Sequence, residues 1–267
     1  MCQSLRLVMV MSKYNIYKCS HGIPIDIPKV IKKYNVDFDL ANRDGLKMGK
    51  LAEKIYYELG RKTATLPFGH TIEAQAFGAK VRFDYINGNR IIDYPQFITR
   101  PDLNDINIQM IFGAIKYLKS KNIPITFNIS GPVSIATFIL PTEEVYRGMV
   151  KNTENMRKVF SIIEDFLREY INKIIELDID ILSYADPAGT MDIVGKRVFK
   201  SYAGTSFLKV LDKVESKRNT IIYICPKSLS SLLEADLIGE NEEGVISGGT
   251  CISNGFNSKL IKRYSLK

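Results

Sequence analysis

Three stretches decide the fold: ITFNIS at Ile125–Ser130, the helical run from Thr153 to Glu176, and DIDILSYAD at Asp178–Asp186. The first is short and β-rich, ending at Gly131-Pro132. The second carries Met156, Val159, Phe160, Ile163, Leu167, Tyr170, Ile171 and Ile174 at helical spacing, a stripe that must be buried. The third is again β-rich, bounded by Pro187, Ala188 and Gly189. Strand, long helix and strand in this order describe a βαβ unit with parallel strands.

The alternation extends both ways. Upstream, Arg43 to Leu59 reads as a helix with Gly60 at its end, TATLP (Thr63–Pro67) as a strand, and Ile72–Gly78 as a short helix that Thr71 can cap. KVRFDY (Lys80–Tyr85), the turn Asn87–Asn89 and RIIDY form a hairpin that decorates the main sheet. Ile108, Ile111, Phe112, Ile115 and Leu118 mark the helix before ITFNIS. Downstream come a helix over Val198–Val214, the buried strand TIIYIC (Thr220–Cys225), a helix over Ser228–Leu237 and a strand GVISGG (Gly244–Gly249). Beyond Cys251 the chain reads as a polar tail. No repeat or composition break divides it, so residues 1–267 read as one domain. Periodicity alone fits a three-layer open sheet as well as a barrel.

Composition narrows the function classes. The chain has 37 Lys and Arg against 29 Asp and Glu, a formal charge of +8. These charges are scattered and not interleaved with aromatic residues, so no nucleic-acid partner is expected, and the basic run Lys259–Lys267 reads as a solvated terminus. A mild positive field suits anionic substrates or an acidic protein partner. Four cysteines in 267 residues do not make a disulfide framework. The opening run MCQSLRLVMVMS lacks a signal peptide's layout, and no segment reaches the length of a membrane span. The expectation is a cytoplasmic protein with no membrane partner. Neither a GxGxxG turn nor a GxxxxGK[ST] loop occurs.

In parallel α/β folds ligands bind beyond the carboxyl ends of the strands, and the chemically capable residues gather there. Cys225 ends one strand and Cys251 follows the next. They are either a converging metal-binding pair or two ordinary semi-buried thiols. His70 lies beyond TATLP, as an acid–base group or a turn histidine. Glu73, three residues on, is either a helix-N-terminal carboxylate or a ligand or base in the mouth. Asp186 either serves the substrate or caps the turn around Pro187–Gly189. Asn128, Tyr184 and Tyr223 either line a pocket or hydrogen-bond nearby backbone. Cys19-Ser20-His21 has metal-compatible types but reads as a loop, a weak ligand pair.

Together, LPFGHTIEAQAFGAKVRF, FNISGPVSIATFIL, ILSYADPAGTMDIVG and IIYICPKSLSSLLE resemble the uroporphyrinogen decarboxylase superfamily, nearest its corrinoid-dependent methyltransferase branch. The resemblance covers roughly residues 35 to 235 and implies an α/β fold, a TIM-type (β/α) barrel with its mouth at the strand C-termini. In the methyltransferase branch, zinc bound by a His-x-Cys pair and a later Cys activates a small thiol. The thiol takes a methyl group from a methyl-corrinoid supplied by a small corrinoid-binding protein. Cys225 matches the first cysteine and Cys251 the later one. Glu73 matches the acidic position of a TxEAEA-like segment, and Asp186 the acid ending a mid-barrel strand. The implied metal set is Cys225, Cys251 and Glu73, with His70 as an alternative. Asp186, His70 and Glu73 are the implied catalytic groups, and Asn128, Tyr184 and Tyr223 line the cofactor side.

Two departures stand beside the resemblance. Tyr223 occupies the place of the histidine, and only 25 residues separate Cys225 from Cys251. The C-terminal part reads one or more βα units short, so a compact barrel, or one incomplete at its C-terminal end, is expected. A tetrapyrrole-decarboxylating lyase and a non-enzymatic barrel that binds a corrinoid, a tetrapyrrole or a partner are the alternative functions.

Overall fold

The structure is a computed structural model and describes residues 26–212, 214, 220–241, 246–248 and 262–266. Among the described residues nine strands are present: β1 (Ala64–Leu66), β2 (Lys80–Arg82), β3 (Arg90–Asp93), β4 (Ile125–Ser130), β5 (Ile181–Ala185), β6 (Ile221–Ile224), β7 (Ile238–Glu240), β8 (Ile246–Gly248) and β9 (Lys262–Leu266). Strands β2 and β3 form a separate antiparallel hairpin, and the other seven make one sheet in the order β1-β4-β5-β6-β8-β9-β7.

This order decides between the two architectures that periodicity left open. Strands β1, β4, β5, β6 and β8 are all parallel and lie side by side in chain order. A doubly wound sheet reverses its strand order at a switch point, and none occurs along this run. Sequential parallel strands joined by right-handed crossovers place their helices on one face, the winding of a (β/α) barrel. The run then changes character, because β9 returns antiparallel to β8 and β7 lies antiparallel to β9. Among the described residues no pairing joins β7 to β1.

Strand register sorts the side chains. Leu66, Phe127, Leu182 and Ile222 stand in one row across β1, β4, β5 and β6. Ile129, Tyr184 and Ile224 stand in a second row on the same face, two residues further along. This face meets the helices. Phe127 contacts the ring of Tyr170 in helix Glu154–Glu176, and Tyr184 stacks on Phe207 in helix Gly204–Leu211. The opposite face carries Thr126, then the row Asn128, Ser183 and Tyr223. Ile181 and Ile221 stand level with Thr126, and the face turns polar from the Asn128 row onward, yet Thr126, Ser183 and Tyr223 are buried.

Helix Glu154–Glu176 shows why the elements hold. Thr153 caps it by accepting from the Met156 N–H at 3.3 Å. Val159, Phe160, Ile163, Phe166, Leu167, Tyr170, Ile171 and Ile174 are all buried along one stripe. Each such side chain contributes about 1.5–3 kcal/mol relative to exposure. Truncating fully buried Phe166 to alanine would cost about 3–5 kcal/mol.

Three local expectations need correction. The helix expected over Ser228–Leu237 spans Pro226–Glu234 and is followed by β7, because buried Ile238 enters the sheet opposite Leu266. The helix expected over Val198–Val214 is split into Lys196–Val198, a π-helical turn Phe199–Ala203, and Gly204–Leu211. Gly204 sits where a Cβ would stand 2.7 Å from the Phe199 ring. The basic tail contains β9, whose Tyr264 is buried between exposed Arg263 and half-buried Ser265.

Candidate active site at the strand rim

The carboxyl ends of β1, β4, β5 and β6 form one rim. The ladder extends past the strands: Gly131 N–H donates to Ala185 O at 2.7 Å, and Cys225 N–H donates to Tyr184 O at 2.9 Å. Ser130, Asp186 and Cys225 therefore follow one another along neighbouring strand ends.

Glu73 joins the rim from the β1 side. Its carboxylate accepts from the Ser130 N–H at 3.4 Å, where β1 has already ended. Ser130 Oγ donates to the His70 carbonyl at 3.2 Å, so the strand-to-helix segment lies along the edge of β4. Glu73 is 1% exposed, and its second carboxylate oxygen has no hydrogen-bond partner among the described residues. Burial pushes the carboxyl up to about 7, only partly offset by hydrogen bonds from its own backbone and from Ser130. Its charge, added to burial, helps push the Tyr170 hydroxyl well above its ordinary value. That hydroxyl is also buried without a hydrogen-bond partner. Since Tyr170 belongs to the helical layer, Glu73 is tied to the helix side of the sheet.

Asp186 is 3% exposed and engaged on both oxygens. It accepts from Val133 N–H at 2.9 Å, Ser134 N–H at 2.8 Å and Ser134 Oγ at 2.7 Å. These are the orphan donors of helix Pro132–Ile139, whose N-cap is Gly131 and has no side chain to cap with. Asp186 is that missing cap, supplied from the next strand. Burial raises its carboxyl to about 6 against the lowering effect of these bonds. The contact is close enough that a Cβ on Gly131 would stand 2.4 Å from Asp186 Cβ. On its helix side Asp186 borders a cavity of about 10 Å³ shared with Phe207 and Ser228, room for about one water and no substrate.

Hydroxyls fix the segment after Asp186. Ser228 Oγ accepts from Asp186 N–H at 3.0 Å, Ser134 Oγ from Ala188 N–H at 3.2 Å, and Ser231 Oγ from Met191 N–H at 3.0 Å. Tyr146 donates its hydroxyl to Ala188 O at 3.0 Å. These partners were not singled out in the sequence. The only local signal was SGPVS, a helix start with proline at N1 and no capping side chain, which leaves its donors to a distant acceptor.

Cys225 is buried at the end of β6, at the N-cap of helix Pro226–Glu234, where backbone N–H groups favour negative charge. By alternation, Tyr223 and Cys225 fall on the polar face with Asn128 and Ser183. Tyr184 does not join them. It is fully buried on the opposite face, its ring 4.0 Å from that of Phe207, and it donates its hydroxyl to Phe207 O at 3.4 Å. Odd and even positions of one strand face opposite ways, so Tyr184 packs the helical layer and lines no mouth. His70 is exposed at the β1 end. Among the described residues no three His, Cys, Asp or Glu side chains converge as a metal site. Cys251 and His21 lie outside the described residues, as do Cys2 and Cys19.

The winding and the rim define a barrel-type (β/α) protein with a polar inner face and its chemical groups at the strand C-termini. The sequence places it further: the chain belongs to the uroporphyrinogen decarboxylase family, whose model, described as "Uroporphyrinogen decarboxylase (URO-D)", matches residues 29–239. Among its relatives is a methylcobamide:CoM methyltransferase MtaA of Methanosarcina barkeri, 24% identical over 212 residues, 75% of this chain and 62% of that protein. Another is the methylcobamide:CoM methyltransferase MtbA of Methanosarcina acetivorans, 24% identical over 213 residues, with the same two coverages of 75% and 62%. The chain thus spans less than two thirds of the length of these relatives. A solved methyltransferase from Methanosarcina mazei superposes with a TM-score of 0.68 at 21% identity, covering 83% of this chain and 68% of that one. That likeness establishes the shared fold. No helix among the described residues is long and apolar enough to cross a membrane.

Proposed function

We propose that this chain transfers a methyl group from a methylated corrinoid, carried by a small corrinoid-binding protein, to a small thiol. The observation that carries this reading is the buried Cys225 directly after β6 at the strand rim, in a chain whose relatives bear methylcobamide:CoM methyltransferase names.

The reading includes zinc, and the candidate donors suit it unevenly. Cys225 fits: a buried thiol at a helix N-terminus on the inner face. Cys251 is its proposed companion. Tyr223 fits poorly, because a phenol is a weaker zinc donor than imidazole. Glu73, bound to the Ser130 N–H and beside Tyr170, is better suited as a buried acid that shapes the rim than as a ligand next to Cys225. Zinc, when bound, would hold the substrate thiol as its thiolate at neutral pH. In the transfer the sulfur–carbon bond forms as the cobalt–carbon bond breaks; the bonding pair stays on cobalt and the thiol proton leaves to solvent. This chain's own residues prepare the space. Asp186 fixes helix Pro132–Ile139 and the loop after β5, the serine hydroxyls hold that loop rigid, and Asn128 and Tyr223 present polar groups to the inner face.

The test supplies purified, zinc-supplemented protein with methylcobalamin and coenzyme M and follows loss of the cobalt–methyl absorbance. Thioether formation that disappears in Cys225→Ala supports the reading. Folded protein that leaves methylcobalamin untouched and decarboxylates uroporphyrinogen establishes the lyase instead. Binding of either tetrapyrrole without turnover establishes a binding role.

A further inference from the structure

The β2–β3 hairpin carries more exposed apolar and cationic surface than its size needs. Five of the eleven exposed large hydrophobic side chains among the described residues fall within residues 86–106. Ile86, Ile92 and Phe97 are 66%, 57% and 79% exposed, and Tyr94 is 43% exposed. Arg82 and Arg90 stand directly opposite in the ladder, and both are exposed. Opposed side chains lie about 5 Å apart at Cβ, and like charges there repel. The neighbouring charges are already committed. Lys80 pairs with Asp93 at 2.9 Å, and Arg100 pairs with Glu169. Asp84 binds the Ile86 and Asn87 N–H groups of the turn. Beyond the ladder itself, the side chains of Arg82 and Arg90 make no salt bridge or hydrogen bond among the described residues, and Asp84 feels the Arg90 charge only weakly, after its bonds to the turn.

The hairpin is anchored on its other face. Val81 is buried, Tyr85 packs edge-on against Phe38, and Arg43 lies over the Phe83 ring. Its turn presses on the rim: Asn89 Nδ2 reaches Thr71 Oγ at 3.4 Å, and a Cβ on Gly69 would stand 2.4 Å from that nitrogen. The hairpin lies within the connection that follows β1, so it belongs to the strand-end side, adjoining His70 and Glu73. A repelling arginine pair kept on a rigid base, with an apolar border, is complementary to an acidic protein surface with an apolar edge.

We propose that the outer face of this hairpin is the docking surface for the corrinoid-carrying partner protein. The partner presents carboxylates to Arg82 and Arg90 and an apolar edge to Ile92 and Phe97. The assignment rests on the methyl-transfer reading, since only that reaction requires a protein to bring its corrinoid to the rim.

The experiment compares wild type with Arg82→Glu/Arg90→Glu and with Ile92→Ser/Phe97→Ser. Binding to the host's purified methyl-corrinoid protein is measured by calorimetry at two salt concentrations. Methyl transfer to coenzyme M is measured separately with free methylcobalamin. The expected result is binding weakened by about tenfold or more in both variants, with wild-type binding falling as salt rises, while turnover of free methylcobalamin stays within about twofold. Unchanged binding in the variants, or no binding by wild type, overturns the docking surface. So does an equal loss with the free donor, or a wild-type dimer that dissociates in the variants, which would give the face to a second copy of this chain. Hairpin-dependent binding without turnover of either donor leaves the docking surface standing and removes the methyl-transfer reading.

Discussion

Replacing Glu73 by glutamine should flatten part of the protein's pH-dependent stability. The carboxyl is 1% exposed, and its pKa is raised from 4.5 to about 7 chiefly by burial. The folded state therefore holds this proton more tightly than the unfolded chain does. The associated stability is fully present below pH 4.5 and is lost as pH rises through 7. That rise corresponds to roughly 3 kcal/mol in full, most of which falls between pH 5 and pH 8. Glutamine keeps the shape and an acceptor for the Ser130 N–H, and it carries no charge to bury. Urea unfolding of both proteins at pH 5 and pH 8, in matched buffers, measures the effect. Glu73→Gln should gain about 2–3 kcal/mol relative to wild type on going from pH 5 to pH 8. Parallel pH profiles would refute the reasoning, showing that Glu73 is solvated or paired in the folded protein.

Asp186→Ala removes the acceptor for two backbone N–H groups and a hydroxyl. With buried neutral donors left without their charged acceptor, unfolding free energy should fall by about 1.5–3 kcal/mol, read from the urea midpoint; a loss below about 1 kcal/mol would mean that water or another group caps helix Pro132–Ile139. Gly131→Ala drives a Cβ to 2.4 Å from Asp186 Cβ. It should destabilise by about 1–3 kcal/mol, and a neutral effect on thermal unfolding would show that strands β4 and β5 can part at the rim.

Much of the frame was legible because it is local. ITFNIS is β4 to the residue, and the stripe from Met156 to Ile174 is one buried helix. The run of strands and helices was also readable, whereas the choice between barrel winding and an open sheet rests on strand order, which no window of sequence contains. Strands β7 and β9 escaped because each is short and disguised, one behind a helix end and the other in a basic tail. At the site, residue types were legible and directions were not. Tyr184 reads like Tyr223 in composition, yet strand alternation turns it to the helices. Asp186 reads as a substrate-facing acid or a cap of its own local turn, yet its partners Val133 and Ser134 lie more than fifty positions away. The raised pKa of Glu73 follows from burial that exists only once helix Ile72–Ala76 is packed.

The central claim is that the cysteine ending β6 serves a thiol-activating zinc site, and the metal content of the protein tests it most directly. Protein purified under reducing conditions without an affinity tag, and analysed for metals, should carry about one zinc per chain. That zinc should be lost in folded Cys225→Ala. Folded wild-type protein that holds no zinc and takes none up, or zinc retained in full without Cys225, would contradict the account.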